Sequence, residues 1–327
     1  MSTADEVNGA LIVLYDMVLQ RPLESFKSEA LDLVSLTLPF DAAIWASGAH
    51  RTNRIFSIAT KSVGAHVLME YALLWQRKDT LRAAVVAEPG RALRNEDIMD
   101  EREHRASAIY RGFCSRHGMD WTLGCAAADP VTTVGELVFL FRTRDRGPFT
   151  EVERDRMTFV APHLFAAWRQ RQSLGLWDRH GPAPKPQPLR CYAVVDDRGL
   201  VQAADADFGV AVQRAVPGWL GPVLPDELRR LAARDCSSLQ IGSQRFVARH
   251  GDRRHLLLAL GAEVEPLSSA ERRTARAFAA GATHAEIAAS LDLSPATVRN
   301  QIAAAYRKLG VHNKVELATA LTGDLGD

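Results

Sequence analysis

Helix start signals recur at close intervals in the C-terminal part of the chain, and they restrict its fold more than any other feature. In three places Ser, Thr or Asn precedes Glu by three residues, a spacing at which each side chain can bond the other residue's backbone amide. Pro295 follows Ser294 at a further first turn, and Gly281 and Gly310 stand at C-cap positions. We therefore predict four short helices. The capping pairs are Ser268 with Glu271, Thr283 with Glu286 and Asn313 with Glu316, and the helices span 269–280, 283–290, 294–309 and 313–321.

The third of these helices has one apolar face. Val298, Ile302, Ala305 and Leu309 follow each other at intervals of four, three and four residues, so they form one stripe that should be buried. The opposite face could simply be solvated, as on any amphipathic helix. The preceding short helix and its tight turn favour a second interpretation, a helix held across its neighbour for insertion into a DNA major groove. The outward residues are Asn300, Ala303, Ala304 and Arg307, with Arg299 beside them.

This region resembles the LuxR-type helix-turn-helix family of bacterial transcription regulators. The resemblance runs from Leu267 to about Leu321 without a gap, through LSSAER, AAGATHAEIAASLDLSPATVRNQI and YRKLGVHNKVELA. It implies that the third helix reads bases and that the fourth pairs two protomers. By position Arg299 and Asn300 become the base readers, whereas Ala303 stands where many members have a polar or basic one. Phosphates are expected near the helix starts and flanks at Thr283, His284, Ser294, Thr297, Arg307, Lys308 and Lys314.

The charge of the whole chain does not indicate a protein that coats nucleic acid, because 40 Lys and Arg residues are balanced by 39 Asp and Glu residues, for a formal charge of +1. Over residues 267–322, seven basic and four acidic side chains leave +3. So small a charge predicts weak binding by one copy, since phosphate neutralisation supplies much of the affinity. We therefore expect a homodimer on adjacent half-sites of double-stranded operator DNA, with RNA polymerase as a further candidate partner.

The length and composition fit a globular protein of two or three domains. The chain has 327 residues, of which 47% are hydrophobic. The first segment has no basic region before its apolar run, and no apolar run reaches membrane-spanning length, so we expect a cytoplasmic protein without a membrane contact. Cys114 and His117 are three apart, yet no second pair accompanies them, so reduced thiols are favoured over a metal site. We expect neither a cofactor nor an enzyme, since phosphate loops and nucleophile motifs do not occur.

A proline-rich stretch divides the chain. Residues 175–189 hold four prolines in a short polar run, which favours extended chain over packing. We predict a sensor domain at 1–174, this linker, a middle module at 190–262 and the helical domain at 263–327. The expected class is α+β: an antiparallel-sheet sensor, a small α+β module and an all-α domain of four helices.

Strands and helices alternate irregularly in the sensor domain. DAAIWAS and RIFSIAT are predicted as paired strands, as are WTLGCAAAD and VGELVFLFRTR. Helices are predicted over 7–19, 22–37, 64–78, 101–117 and 149–172. In this order of elements, and in the ending FTEVERDRMTFVAPHLFAAW, the domain resembles GAF-like and autoinducer-binding-like sensors.

That resemblance implies a small-molecule effector. MEYALLWQRKDTLRAA is similar to the helix in which acyl-homoserine-lactone receptors carry a Tyr and an Asp-Pro, but here Thr80 replaces the Pro and the spacing is about one residue short. Aromatic side chains supply most of the contact area in such sites, although each could equally belong to a packed core. The candidate ligand-binding residues are Trp45, Phe56, Tyr71, Trp75, Asp79 and Trp121.

The segment after the linker resembles the opening of a PAS domain, with a strand, a turn at Asp196 to Gly199, a second strand and a helix. Asp196 and Asp197 could instead be the acidic pair of a phosphorylation receiver, but about seventy residues are too few for a doubly wound fold. The sequence therefore predicts a ligand-responsive DNA-binding transcription regulator. The alternative is a ligand-independent regulator whose N-terminal region is a platform for protein interaction and dimerisation.

Overall fold

The computed structural model describes residues 3–52, 54–178, 189–233, 238–242, 244–260 and 267–309, together with Leu317 and Leu321. The chain forms two compact units, Met1–Leu260 and Gly261–Asp327. Helices and antiparallel sheets both occur, so the chain is α+β as the sequence predicts. Among the described helices, none combines the length and the apolar run that a bilayer crossing needs.

A five-stranded antiparallel sheet forms the centre of the first part of the chain. Its strands are β1 (Ala42–Ala49), β2 (Arg54–Lys61), β3 (Leu93–Arg94), β4 (Trp121–Ala128) and β5 (Val134–Arg142). The order across the sheet is β2-β1-β5-β4-β3. Both predicted strand pairs are confirmed, because β1 pairs with β2 and β4 pairs with β5.

Helices cover both faces of this sheet. Three long ones are α1 (Thr3–Gln20), α2 (Leu23–Thr37) and α7 (Glu151–Asp178), and four short ones are α3 (Ala65–Glu70), α4 (Thr80–Ala87), α5 (Glu101–Ala106) and α6 (Ala108–Gly112). The predicted helix 64–78 starts as α3 and continues as a π-helical turn, Tyr71–Trp75, and a short 3-10 turn. The predicted helix 101–117 is broken because Ser107 is extended and its hydroxyl accepts from the Tyr110 amide at 3.2 Å.

Alternation along the strands gives the sheet two different faces. In β1, Trp45 is fully buried in the core formed with α1, α2 and α7, whereas its neighbours Ile44 and Ala46 point to the opposite face. Leu123 of β4 and Leu140 of β5 join the same core. The face under the long helices is therefore close-packed, and the face under the short helices borders a cavity.

A buried ion pair lies on the packed face. Lys27 of α2 is 3% exposed, and its ammonium lies 3.3 Å from Glu136 Oε2. The Trp45 indole N–H and the Ser47 hydroxyl both donate to that carboxylate oxygen at 2.8 Å. Lys27 also donates to Ser47 Oγ and lies 4.6 Å from the ring centre of Trp168. Burial lowers the pKa of Lys27, and the nearby Glu136 opposes that shift.

Replacing Lys27 alone should be more damaging than replacing the pair. Lys27→Met leaves the Glu136 carboxylate buried without its cation, and we expect a loss of about 3–5 kcal/mol in the free energy of unfolding. Lys27→Met/Glu136→Gln should recover most of that loss. Urea denaturation of the three proteins at one pH measures the difference. Equal stability of the single and double variants would contradict this account.

A second antiparallel sheet follows in the same unit. Its strands are β6 (Leu189–Asp196), β7 (Val201–Ala204), β8 (Ser238–Ile241), β9 (Gln244–His250) and β10 (Arg254–Leu260), with helices α8 (Phe208–Ala215) and α9 (Asp226–Ala232) between β7 and β8. The order across this sheet is β7-β6-β10-β9-β8. Both sheets therefore have the same topology, with their five strands in the order second, first, fifth, fourth, third. The predicted Asp196 turn is confirmed, since Asp196 Oδ1 accepts from the amides of Arg198 and Leu200 and Gly199 has a φ of +73°.

Helix α7 is longer than the sequence predicts. It continues past residue 172 to Asp178, so the first residues of the predicted linker 175–189 are helical. Leu176 packs against Val194 and Leu256 of the second sheet, a contact that the polar, proline-rich composition conceals. Residues 179–188 lie outside the described residues.

The C-terminal unit contains α10 (Ser269–Ala279), α11 (His284–Leu291) and α12 (Pro295–Leu309), close to the predicted bounds. The capping boxes at Ser268 and Thr283 are both formed. Asp292 ends α11 in the left-handed conformation, with a φ of +52°. The predicted fourth helix, 313–321, and its capping pair lie outside the described residues except for Leu317 and Leu321, which are helical and buried.

Candidate functional site

Helix α12 has one buried and one exposed face. Val298 and Ile302 are 0% and 4% exposed and pack against residues of α10 and α11. The intervening Arg299 and Asn300 are exposed, as is Ala303 one turn later. The helix is therefore held by its apolar stripe while an Arg, an Asn and a small residue stand together on the surface.

The starts of α11 and α12 place further predicted contacts near that surface. Thr283 and Ser294 are exposed N-cap residues, and the Ser294 hydroxyl accepts from the Thr297 amide at 3.1 Å. His284 is half-buried at the start of α11. Because the first amides of a helix lack intrahelical partners, such starts can hold an anion. The side chains of Arg307 and Lys308, and Lys314 as a whole, lie outside the described part.

A cavity of about 340 Å³ lies between the first sheet and its short helices. Its walls are mostly apolar, so they favour an apolar occupant. The apolar residues of the wall include Ile44, Val67, Leu81, Phe113, Met119 and Phe139. Its polar lining includes two hydrogen-bonded groups, and Glu136 of the buried ion pair also borders it.

The first polar group joins Tyr71 and Asp79. The Tyr71 hydroxyl donates to Asp79 Oδ2 at 2.6 Å, and Asp79 Oδ1 accepts from the Arg82 amide at 2.9 Å as the N-cap of α4. Burial, followed by the charge of Asp79, raises the pKa of Tyr71, so the phenol stays protonated. A carboxylate with neutral donors is thus held in the wall of an apolar cavity.

The second polar group contains Asn95, His104 and Thr122. Asn95 and His104 are 6% and 5% exposed. Asn95 Oδ1 accepts from the Thr122 amide at 2.8 Å, and its Nδ2 lies 3.5 Å from His104 Nδ1. His104 Nε2 lies 3.3 Å from the Asp120 carbonyl oxygen, which can only accept, so the proton belongs on Nε2. Burial lowers the pKa of His104, and the ring is therefore neutral.

Cys114 lines the same cavity as a thiol. Burial raises its pKa to about 12, so it is not a reactive thiolate near neutral pH. His117, which the sequence pairs with Cys114, instead places Nε2 3.1 Å from Glu70 Oε2.

The structure brings together only part of the predicted ligand set. Tyr71 and Asp79 line the cavity. Trp45 and Trp121 belong to the core on the other face of the sheet, because strand alternation turns them away. Phe56 packs against the core of the second sheet, and Trp75 packs outside the wall against Phe113, with ring centres 6.4 Å apart. The lining that we propose below therefore differs from the sequence prediction at these four positions.

Asn95, His104 and Thr122 are wall residues that the sequence analysis missed. His104 lies in the highly charged stretch EREHRA, which is typical of a solvated helix. For Thr122 the sequence does carry a signal, because it follows Trp121 in a predicted strand. Successive strand residues face opposite sides of a sheet, so Thr122 and Trp121 cannot both line the same cavity.

The neutral, buried His104 should make stability depend on pH. Below about pH 6.5 the unfolded chain protonates this histidine while the folded chain does not, so the unfolded state binds more protons. Stability should fall as the pH drops from 6.5 towards the lowered pKa, and His104→Gln should flatten that slope. Unfolding midpoints between pH 7.5 and 5 measure it, with the exposed His66→Gln as control. An unchanged slope in His104→Gln would disprove this origin.

Comparison with known protein families identifies a match within the C-terminal unit. The family model for bacterial regulatory proteins, luxR family, matches residues 265–321. No curated protein matches the chain.

Several solved structures are distantly similar. SdiA from Escherichia coli is 12% identical, with 95% of each chain covered and a TM-score of 0.40. The N-acylhomoserine lactone dependent factor CepR2 from Burkholderia cenocepacia is 15% identical over 49% of this chain and 92% of its own, with a TM-score of 0.38. The VqsR LBD domain from Pseudomonas aeruginosa is 12% identical over 50% of this chain and 94% of its own, with a TM-score of 0.39.

The family match covers the three capped helices α10, α11 and α12. The formed capping boxes, the left-handed turn at Asp292 and the exposed face of α12 agree with it. Residues 265–321 of this chain are therefore a luxR-family helix-turn-helix domain.

Proposed function

We propose that this protein is a ligand-responsive transcription regulator that binds double-stranded operator DNA as a homodimer through its luxR-family domain. The exposed face of α12 carries the proposal, because Arg299 and Asn300 stand clear of a helix that Val298 and Ile302 fix in place. Bacterial operators lie in the cytoplasm, so the proposed location is cytoplasmic. The family is one of regulators, and enzymatic activity is not part of the proposal.

Direct base contacts follow from the side-chain chemistry of α12. Arg299 suits the O6 and N7 acceptors of guanine, and Asn300 suits the N6 and N7 pair of adenine. Ala303 is too short for a hydrogen bond, but its methyl group suits the methyl group of thymine. The helix starts at Thr283, His284, Ser294 and Thr297, and the basic Arg307, Lys308 and Lys314, would meet phosphates.

Dimerisation supplies the affinity that one domain lacks. The net charge of +3 over residues 267–322 allows few phosphate contacts. Two α12 helices on adjacent half-sites, about 34 Å apart, would double these contacts and the base contacts.

The ligand proposal rests on the cavity of the first sheet. Its apolar walls and its two polar groups suit a small, largely apolar or aromatic effector with one or two polar groups. A hydrogen-bond donor on that molecule would meet the Asp79 carboxylate beside Tyr71. Each Asp79 oxygen has a second lone pair for such a donor, whereas both ring nitrogens of His104 are already engaged by Asn95 and by the Asp120 carbonyl oxygen, so His104 would orient the effector less strongly.

We also propose the domain bounds 1–174 for a GAF-like sensor, 190–262 for a PAS-like module and 263–327 for the DNA-binding domain. The repeated strand order of the two sheets supports this division, because each sheet begins with a hairpin whose first strand pairs with its last strand.

One observation favours the alternative, a ligand-independent interaction platform. Ile12 and Leu19 on α1 are 67% and 72% exposed, and Phe159 on α7 is 54% exposed. Helices α1 and α7 pack together. An apolar face of this kind suits a partner helix, with or without a ligand in the cavity.

Loss of either base reader should weaken specific binding. Arg299→Ala and Asn300→Ala should each cost about 1–3 kcal/mol and relax the preferred sequence, because each removes a bidentate contact. Arg273 is exposed on α10 and is not a predicted base reader. Arg273→Ala therefore removes one positive charge but no base contact, and it is the matched control. Fluorescence anisotropy on an operator selected from random sequences by the wild-type protein measures the loss. Full affinity in both reader variants would refute their role.

Ligand binding should depend on the Asp79 carboxylate. In a thermal-shift screen of neutral metabolites against the full chain, a binding compound should raise the melting temperature by mass action. Asp79→Asn keeps an N-cap residue but not the charge, and it should weaken binding by about 1.5–3 kcal/mol. Leu140→Met alters the opposite face of the sheet at nearly constant volume and should leave affinity unchanged. A chain to which no compound binds would favour the platform alternative.

A further inference from the structure

The turn between β4 and β5 has a fixed shape. Asp129 Oδ1 accepts from the amides of Val131 and Thr132, and its carbonyl oxygen accepts from the Thr133 amide at 2.9 Å. The Asp129 amide donates to the Val134 carbonyl oxygen at 2.9 Å. Thr132 and Thr133 are both 0% exposed. The turn, residues 129–133, is thus a compact unit held by its own hydrogen bonds.

One side of this turn packs against the middle module, residues 190–262. The Gly221 amide donates to the Val131 carbonyl oxygen at 2.8 Å. A Cβ on Gly221 would lie 2.3 Å from the Thr132 carbonyl oxygen, and one on Gly209 would lie 2.8 Å from Val131 Cβ. Val131 also packs against the core of the second sheet. Glycine at both positions allows the turn to touch the backbone of α8 and of the following loop.

The inner side of the same hairpin is a wall of the cavity. Ala127 and Ala128 precede the turn, Gly135 follows it, and all three line the cavity. The His50 amide, next to the cavity end of β1, donates to the Thr133 carbonyl oxygen at 3.1 Å. Only a few residues of continuous, hydrogen-bonded chain therefore separate the cavity from the packed core of the middle module.

We propose that the β4–β5 turn transmits occupancy of the cavity to the middle module. An occupant that presses on Ala128 or Gly135 displaces the backbone that continues into Val131 and Thr132. Since Gly209 and Gly221 contact Val131 and Thr132 closely, α8 and the loop after it shift with the turn. The idea rests on the proposed function, because it gives the regulatory route for the proposed ligand.

A cavity-filling substitution replaces the unidentified ligand in the test. Ala46 faces the cavity and is 8% exposed, so Ala46→Leu places a larger side chain there. Amide hydrogen exchange of the full chain then reports on residues 208–222, which include α8 and Gly221. We expect Ala46→Leu to change exchange in this segment on the order of fivefold or more, the lower end of typical site-to-site coupling. Ala126→Val, in the same wall, serves if Ala46→Leu does not fold.

The role of the turn is isolated by a double-mutant cycle. Val131→Ala trims the side chain that meets Gly209, and in this background Ala46→Leu should change exchange in 208–222 less than in the wild-type background, because only the backbone contacts of Gly221 remain. Leu239→Ala trims another residue packed on the core of the second sheet, on the edge strand β8, and should leave the Ala46→Leu effect intact. The proposal would be overturned if Ala46→Leu changed exchange in 208–222 equally in the wild-type and Val131→Ala backgrounds. It would also be overturned if neither Ala46→Leu nor Ala126→Val changed exchange in that segment. Operator affinity and effector binding are measured separately, so their failure would be distinguishable from a failure of coupling.

Discussion

Strands β1, β4 and β5 of the first sheet send alternate side chains into two unlike environments, and the packing of the first part of the chain depends on that division. On one side, three long helices close over Trp45, Leu123 and Leu140, and Lys27 is buried with its carboxylate partner. On the other side, short capped helices span a cavity instead of filling it. The packed face supplies most of the buried side-chain contacts around the sheet, and the opposite face has fewer of them because its side chains border the cavity.

The features that the sequence predicts well depend on neighbours close in the chain. The capping boxes at Ser268 and Thr283 are local hydrogen bonds, and they fix the starts of α10 and α11 to within one residue. The stripe containing Val298 and Ile302 needs only the helical period. The surface of α12 follows from the same period, and so the candidate DNA-binding face could be derived before the fold was known.

The position of the cavity cannot be predicted from such local patterns. Strand β1 reads AAIWASGA, which is apolar on both faces, so its sequence does not tell which face packs against helices and which borders a cavity. Trp45 was therefore a reasonable wall residue by composition and lies on the wrong side for it. The burial of His104 depends on Asn95 and the Asp120 carbonyl oxygen, which the fold brings in from other elements. Contacts of this kind have no periodic signal.

Asp79 begins helix α4 and also faces the cavity, since one carboxylate oxygen caps the Arg82 amide while the other receives the Tyr71 hydroxyl. The residues that can start a helix well are few, chiefly Asn, Asp, Ser and Thr. Few replacements at this position would therefore keep the start of α4, and an apolar one would loosen the helix beside the cavity. Wall positions such as Ile44, Val67 and Met119 have no part in starting a helix, so substitutions there can change the shape of the cavity without loss of a helix start.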